Sequence, residues 1–250
     1  MDLRAQIAEN PAWYHTLDLG PDAVTPGWFD LRPIVDRMPW PEVAGKRCLD
    51  VGTYDGFLAF ELERRGAAEV VAIDIEDHSL WDWPARTRAL GPAHLAEIVG
   101  TRKGLGFDIA QEALGSSVRR VEQSVYDLTP EEHGRFDVVV CGSLLLHLRD
   151  PVRALEAIRG VCGGVFMSAE QIDGKLTLLS PKRPTGWFRG GQKVQWWVPN
   201  AAGHRAMLDS AGFRIEDSAR RYRIPLGAGH PARRSRRGVL HSAVCGLPDL

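Results

Sequence analysis

The chain reads as an α/β protein on a doubly wound, mostly parallel sheet, and three stretches carry that expectation. Residues 47–75 give an apolar run (CLDV, 48–51), a glycine turn (GTYDG, 52–56), a helical pattern (Phe57, Phe60, Leu62) and a second apolar run (VVAI) ending at Asp74. A strand, helix and strand in that order imply parallel pairing with a right-handed crossover. FDVVVC at 136–141 is apolar throughout, as a strand buried on both faces is. VFMSA at 165–169 follows a helix over 152–161 that Pro151 opens.

The chemistry is expected at the carboxyl ends of these strands, where open α/β sheets bind ligands. Gly52 and Gly56 lack Cβ atoms, so a ligand can approach the turn and the helix amides after it. Asp74 ends the second strand, 22 positions after Gly52 (74 − 52), where a carboxylate accepts the two ribose hydroxyls of a nucleoside. Charge-assisted bonds of that kind contribute roughly 1.5–3 kcal/mol each. Tyr54 stands where a GxGxxG turn has its middle glycine, which disfavours a pyrophosphate and hence a dinucleotide. A phosphate-free nucleoside fits better, and S-adenosylmethionine (SAM) is the common one. Asp55 is expected to cap the helix at Gly56. Asp50, Thr53, Tyr54 and Ile75 stand at the same strand ends and complete this half of the cofactor set.

In chain order, residues 2–9 suggest a short helix, and 13–29 form an aromatic, turn-rich segment that the sheet does not need. It covers the sheet, roofs the pocket as a lid, or mediates self-association. In the lid reading Tyr14 and Trp28 meet the substrate, and His15 becomes a candidate base. Residues 31–38 read as a helix leading to Trp40 and Pro41, so 1–40 is taken as a cap segment and 41–250 as the main domain. Trp81 and Trp83 either wall the nucleoside or pack on the next helix; helices follow over 87–99 and 106–114, then a third strand at 118–122. Val125, Tyr126 and Asp127 end it at the adenine position, the carboxylate of Asp127 accepting the amino hydrogens. The fourth strand delivers Cys141, Gly142 and Ser143 to the cofactor, and the loop after it carries His147, a general-base candidate or a loop-ordering residue. Glu170 closes the fifth strand as a further candidate base. The insertion 171–199 mixes aromatic and basic residues and has few sheet signals; Lys193, Trp196 and Trp197 are its substrate candidates. A helix over 200–211, a sixth strand over 213–222 and a seventh over 239–244 finish the chain, with an arginine cluster at 233–237.

Composition narrows the partners. A net charge of −1 gives no global attraction to nucleic acid or membrane. Four cysteines lie in or beside apolar runs without metal-ligand spacing, and no metal site is expected. Residues 1–10 have no signal-peptide core, and no apolar run approaches the roughly 18–20 residues a spanning helix needs. The cytoplasm is the expected compartment.

LDVGTYDGF, VVAIDI, VYDL, FDVVVCGSLLLHLRDP and WWVPN…LDSAGF resemble the Rossmann-like SAM-dependent methyltransferases. Within them the HLRDP and WWVPN pieces are similar to the tRNA wobble-uridine carboxymethyltransferases and their shorter relatives of unknown acceptor. The resemblance implies a seven-stranded sheet, Gly52, Asp74 and Asp127 at the cofactor, and residues 196–199 near the acceptor. Leu146 stands where the carboxymethyl enzymes have a tyrosine, and no lysine precedes Lys46, so ordinary SAM and methyl transfer are expected. Three functions follow: methylation of an oxygen or nitrogen of a small molecule, modification of RNA through the arginine cluster and insertion, or SAM binding without catalysis. The near-neutral charge favours the first over RNA.

Overall fold

The computed structural model describes residues 2–99, 103–192, 194–216, 220–233 and 238–249. Helix α1 (Leu3–Glu9) leads into the aromatic segment, and β1 (Arg47–Val51), α2 (Phe57–Arg64) and β2 (Glu69–Asp74) form the expected unit. Then come α3 (Ala85–Arg88), α4 (Pro92–Val99), α5 (Leu105–Leu114), β3 (Arg119–Glu122), α6 (Pro130–His133), β4 (Phe136–Gly142), α7 (Pro151–Val161) and β5 (Cys162–Gln171). The remainder is α8 (Gly174–Leu179), β6 (Gly186–Gln192), β7 (Gln195–Pro199), α9 (Ala201–Ser210), β8 (Phe213–Ile215), β9 (Arg220–Ile224) and β10 (Val239–Pro248).

The main sheet runs β3-β2-β1-β4-β5-β10-β8, with β9 also paired to β10. The first five strands are mutually parallel, and β10 is antiparallel to β5, β8 and β9. Strand order reverses between β1 and β4, which opens a crevice beside the glycine turn. One face is covered by α2 and α5, where Phe60 and Phe107 meet at 5.1 Å between ring centroids. The other is covered by α7 and α9, with Leu155, Ile158 and Leu208 buried around Phe166 and Phe213. Each such side chain contributes roughly 1.5–3 kcal/mol by leaving water.

The structure corrects four expectations about elements. Residues 31–38 make only a 3-10 turn at Val35–Arg37, although Leu31, Ile34, Val35 and Met38 are all buried. Pro39 holds Met38 extended (φ −69°, ψ 147°), which stops the helix. The helix expected over 87–99 is two, divided at Gly91 (φ +87°). The insertion 171–199 forms a helix and a two-stranded hairpin, β6–β7, apart from the main sheet. The sixth strand is also two: between Ile215↔Gly246 and Arg220↔Ala243 the edge advances five positions while β10 advances three. Its apolar positions change from odd (Phe213, Ile215) to even (Tyr222, Ile224), so β8 buries one face of the sheet and β9 the other.

The N-terminal segment is fastened to the glycine turn. Asp55 does not cap α2, which begins at Gly56 without a side-chain cap. Its carboxylate, 1% exposed, instead accepts the amides of Tyr14 and His15, both at 2.8 Å, and pairs with His15 Nδ1. The His15 ring lies against Phe57, and the Tyr14 ring against Tyr54 at 5.4 Å.

Replacing Asp55 with alanine leaves two amides and an imidazole without their acceptor. We expect Asp55→Ala to lower stability by about 2–4 kcal/mol, with Asp55→Asn losing less because its amide oxygen still accepts. Denaturant midpoints of the three proteins decide it; equal midpoints would exclude the clamp.

Candidate functional site

The glycine turn is closed from within. Gly52 N and Thr53 N donate to Ile73 O (2.9 and 3.1 Å), Tyr54 N to Asp74 Oδ2 (2.7 Å) and Gly56 N to Thr53 O (2.9 Å). With four of the turn's five amides engaged, it offers no run of successive free N–H groups to a phosphate. Gly52 (φ +78°) has Leu144 over it, 3.0 Å from where a Cβ would stand. At Gly56 a Cβ would stand 2.4 Å from the Phe60 ring, so this glycine makes room for packing and not for a ligand, contrary to expectation. Asp50 is buried beneath the turn beside Thr53, and burial pushes its carboxyl up to about 7.

At the end of β2 the Asp74 carboxylate accepts Ile75 N at 2.7 Å through Oδ1 and forms an ion pair with Lys103. The Lys103 ammonium sits 5.1 Å from the Tyr54 ring centre and 4.9 Å from that of Trp81. Trp81 stacks on Trp83 (5.8 Å, 16°), and Trp83 Nε1 donates to His78 O at 2.6 Å. Neither Lys103 nor its pairing was legible in the sequence, where it is one lysine between two helices; Trp81 was visible as a wall candidate.

The charges of Lys103 and Asp74 both act on His147. Its Nδ1 lies 2.6 Å from Val194 O on the β6–β7 turn. A carbonyl only accepts, so Nδ1 carries the proton and Nε2 keeps its lone pair. Burial lowers the imidazole below its ordinary range, so it is neutral at pH 7. Val194 has φ +55°, an unfavourable conformation for a β-branched residue. With Tyr54 (φ +52°) and Ser143 (φ +54°), it is one of three strained residues ringing the site.

The remaining sequence candidates divide. Ser143 bonds His241 Nε2 at 3.0 Å and contacts the Tyr14 hydroxyl, which brings the N-terminal segment to the end of β4. Gly142 is covered by Leu58, and Cys141 is a fully buried thiol directed at Glu170 Oε1. Glu170 Oε1 accepts Leu144 N and Leu145 N (3.1 and 3.2 Å), so it orders the loop that carries His147 instead of facing an acceptor. Val125 is buried, and the Tyr126 hydroxyl donates to Asp82 at 2.7 Å and accepts Asp150 N at 3.2 Å, which ties it to the start of α7. Asp127 is exposed, as is Trp28, which meets His230 edge-on. Trp196 Nε1 donates to Asp82 O and Trp197 Nε1 to Arg149 O, so both indoles fix the hairpin to neighbouring loops. His15 lines a cavity with Tyr14, Ser143 and Tyr222, and Glu170 one with Leu145, Trp197 and His204, so neither cavity brings together His15, His147, Glu170 and Trp196. Lys193 and Arg234 to Arg237 lie outside the described residues.

A carboxylate ending β2, aromatic walls at Tyr54 and Trp81, and a turn with four of its five amides engaged fit a phosphate-free nucleoside such as SAM. His204 and His241, both lowered by burial to about 3 and about 4, stay neutral. Burial raises Glu170 from 4.5 to about 8. Between pH 6.5 and 8 unfolded histidines shed their remaining protons, which favours folding slightly, while folded Glu170 and Asp50 give up protons that the unfolded chain has already released. Stability then falls as pH rises towards 8. We expect a loss of roughly 1–2 kcal/mol from pH 6.5 to 8 and a much flatter profile for Glu170→Gln, both read from denaturant melts.

A family described as "Methyltransferase domain" matches residues 30–215. The ubiquinone biosynthesis O-methyltransferase of Xanthomonas euvesicatoria is 28% identical over 190 residues, 70% of this chain and 66% of that protein. The Acinetobacter baumannii protein of the same name is 29% identical over 163 residues, 59% of each chain. The chain thus spans 59–66% of the length of these two relatives. Among solved structures, EvdMO1 aligns with a TM-score of 0.56 at 18% identity over 99% of this chain and 47% of its own. Magnesium protoporphyrin IX methyltransferase from Synechocystis, with bound S-adenosylhomocysteine (SAH), aligns with 0.51 at 18% over 82% and 75%. The chain belongs to the methyltransferase-domain family, and it shares the fold of the solved methyltransferase above.

Proposed function

We propose that this chain transfers a methyl group from SAM to an oxygen or nitrogen of a small-molecule acceptor. The observation that carries the reading is Asp74 at the end of β2, with the neutral, Nδ1-protonated His147 within reach of its charge. Bound SAM supplies a methyl carbon already activated by its sulfonium. Asp74 holds the ribose hydroxyls, with Gly52, Thr53 and Tyr54 forming the floor. His147 Nε2 takes the acceptor proton as the new bond forms, directly or through one water. Positioning by the surrounding walls supplies much of the remainder, roughly 7–11 kcal/mol in favourable systems.

The names of the relatives, O-methyltransferases of ubiquinone biosynthesis, support a small acceptor. Carboxymethyl transfer to a tRNA wobble uridine is the second reading, on the HLRDP and WWVPN resemblance. Leu146 is buried and brings no donor for an extra carboxylate, which favours ordinary SAM. We also take residues 1–40 as a lid on a domain of 41–250, since Tyr14 and His15 reach Asp55 and Ser143. A labelled-methyl transfer screen over small-molecule and RNA fractions tests the whole reading; label in RNA alone would favour the second.

Asp74→Ala should weaken SAM binding at least about tenfold, since two hydroxyls lose a charged acceptor, and calorimetry on the folded variant checks it. His147→Ala should lower turnover far more than SAM affinity. It should also abolish the fall in rate on the acid side of pH 6.5, where the lowered imidazole protonates. Unchanged turnover with an unchanged pH profile would leave His147 a loop residue.

A further inference from the structure

The ribose carboxylate of this site is already occupied by the protein itself. Asp74 Oδ2 is taken by Tyr54 N and Oδ1 by Ile75 N, and the Lys103 ammonium completes the shell. A carboxylate has about four acceptor positions, so these three donors leave no room for a ribose diol. The lysine side chain is 9% exposed and that of Asp74 6%, so the pair is shielded from solvent. The aromatic rings on either side attract the same ammonium. A surface lysine with its head in water would make none of these contacts.

Resting on the reading of Asp74 as the ribose acceptor, we infer that Lys103 is an internal competitor of the cofactor and sets its affinity. The ammonium fills the subsite in the ligand-free protein, and the nucleoside enters by displacing it. Lys103 has a long unbranched side chain, so rotation about its own bonds frees Asp74 without moving β2. The apparent affinity is then the intrinsic one reduced by the fraction of molecules in which Lys103 is withdrawn. The exchange also gives Tyr54 and Trp81 one role in both states, facing a cation first and the nucleoside afterwards. No bond is made or broken, and one donor set replaces another on a single carboxylate.

SAH is the probe, with binding measured by calorimetry and by its effect on the melting midpoint. Lys103→Met keeps the aliphatic stem and removes the charge. It should bind SAH about fivefold or more tighter than the wild type, while the ligand-free variant melts lower because Asp74 loses its counterion. Added SAH should raise the variant's midpoint by more than it raises the wild type's. Lys103→Gln, a neutral donor on a shorter chain, should fall between the two and carries the test if the methionine variant does not fold. Affinity equal to or weaker than wild type in the folded variants would overturn the inference, weaker binding making Lys103 a cofactor ligand instead. If neither wild type nor variants bind SAH, the nucleoside reading of Asp74 falls and this inference with it.

Discussion

The hydrogen bond from Tyr54 N to Asp74 joins the turn after β1 to the end of β2, and the geometry of the site descends from it. It holds Tyr54 in a left-handed conformation, which points the ring across the crevice towards Lys103. The next residue, Asp55, is thereby directed to the opposite side, where it captures Tyr14 and His15. Two adjacent side chains of one turn thus define an aromatic wall beside Lys103 and an anchorage for the first part of the chain. Asp74 has a double office in consequence: it shapes the turn through one oxygen and presents the other to a cation.

The buried polar groups around this turn are held largely without charge. Burial raises Asp50 and Glu170 and lowers His147, His204 and His241, so these side chains favour their neutral forms. Desolvation costs least for neutral groups, and a sheet edge crowded with them avoids several kcal/mol of penalty per ion. The buried pairs Asp74–Lys103 and Asp55–His15 stand out against that background, which is why their disruption is informative.

Much of the fold was legible because its signals are local. The apolar runs at β1, β2 and β4 and the glycine turn between β1 and α2 determine a parallel sheet wherever they occur, and Asp74 falls at a strand end by counting alone. What the sequence concealed depends on contacts between distant residues. Asp55 sits at a helix-cap position, yet its partners lie 40 and 41 positions upstream. Lys103 meets Asp74 across 29 positions and has no pattern around it. Glu170 and Trp196 looked like site residues because they end strands near the ligand edge, but backbone amides and carbonyls of neighbouring loops claim them first. The split of the sixth strand was written in the sequence as the shift from odd to even apolar positions, a signal weaker than the hydrophobicity that suggested one continuous strand.

Strand β10 lies between β5 on one side and both β8 and β9 on the other, and it is the last of these strands along the chain. During synthesis from the N-terminus, β5, β8 and β9 are therefore complete while the strand that joins them has yet to appear. Each then offers unpaired backbone donors and acceptors, the condition that invites association between nascent chains. Closure waits on the arrival of one ten-residue segment, and contacts of such long sequence separation form slowly. The pairing of β8 and β9 with the sheet depends on β10 alone among the described strands, so their edges stay open until that last segment has been made.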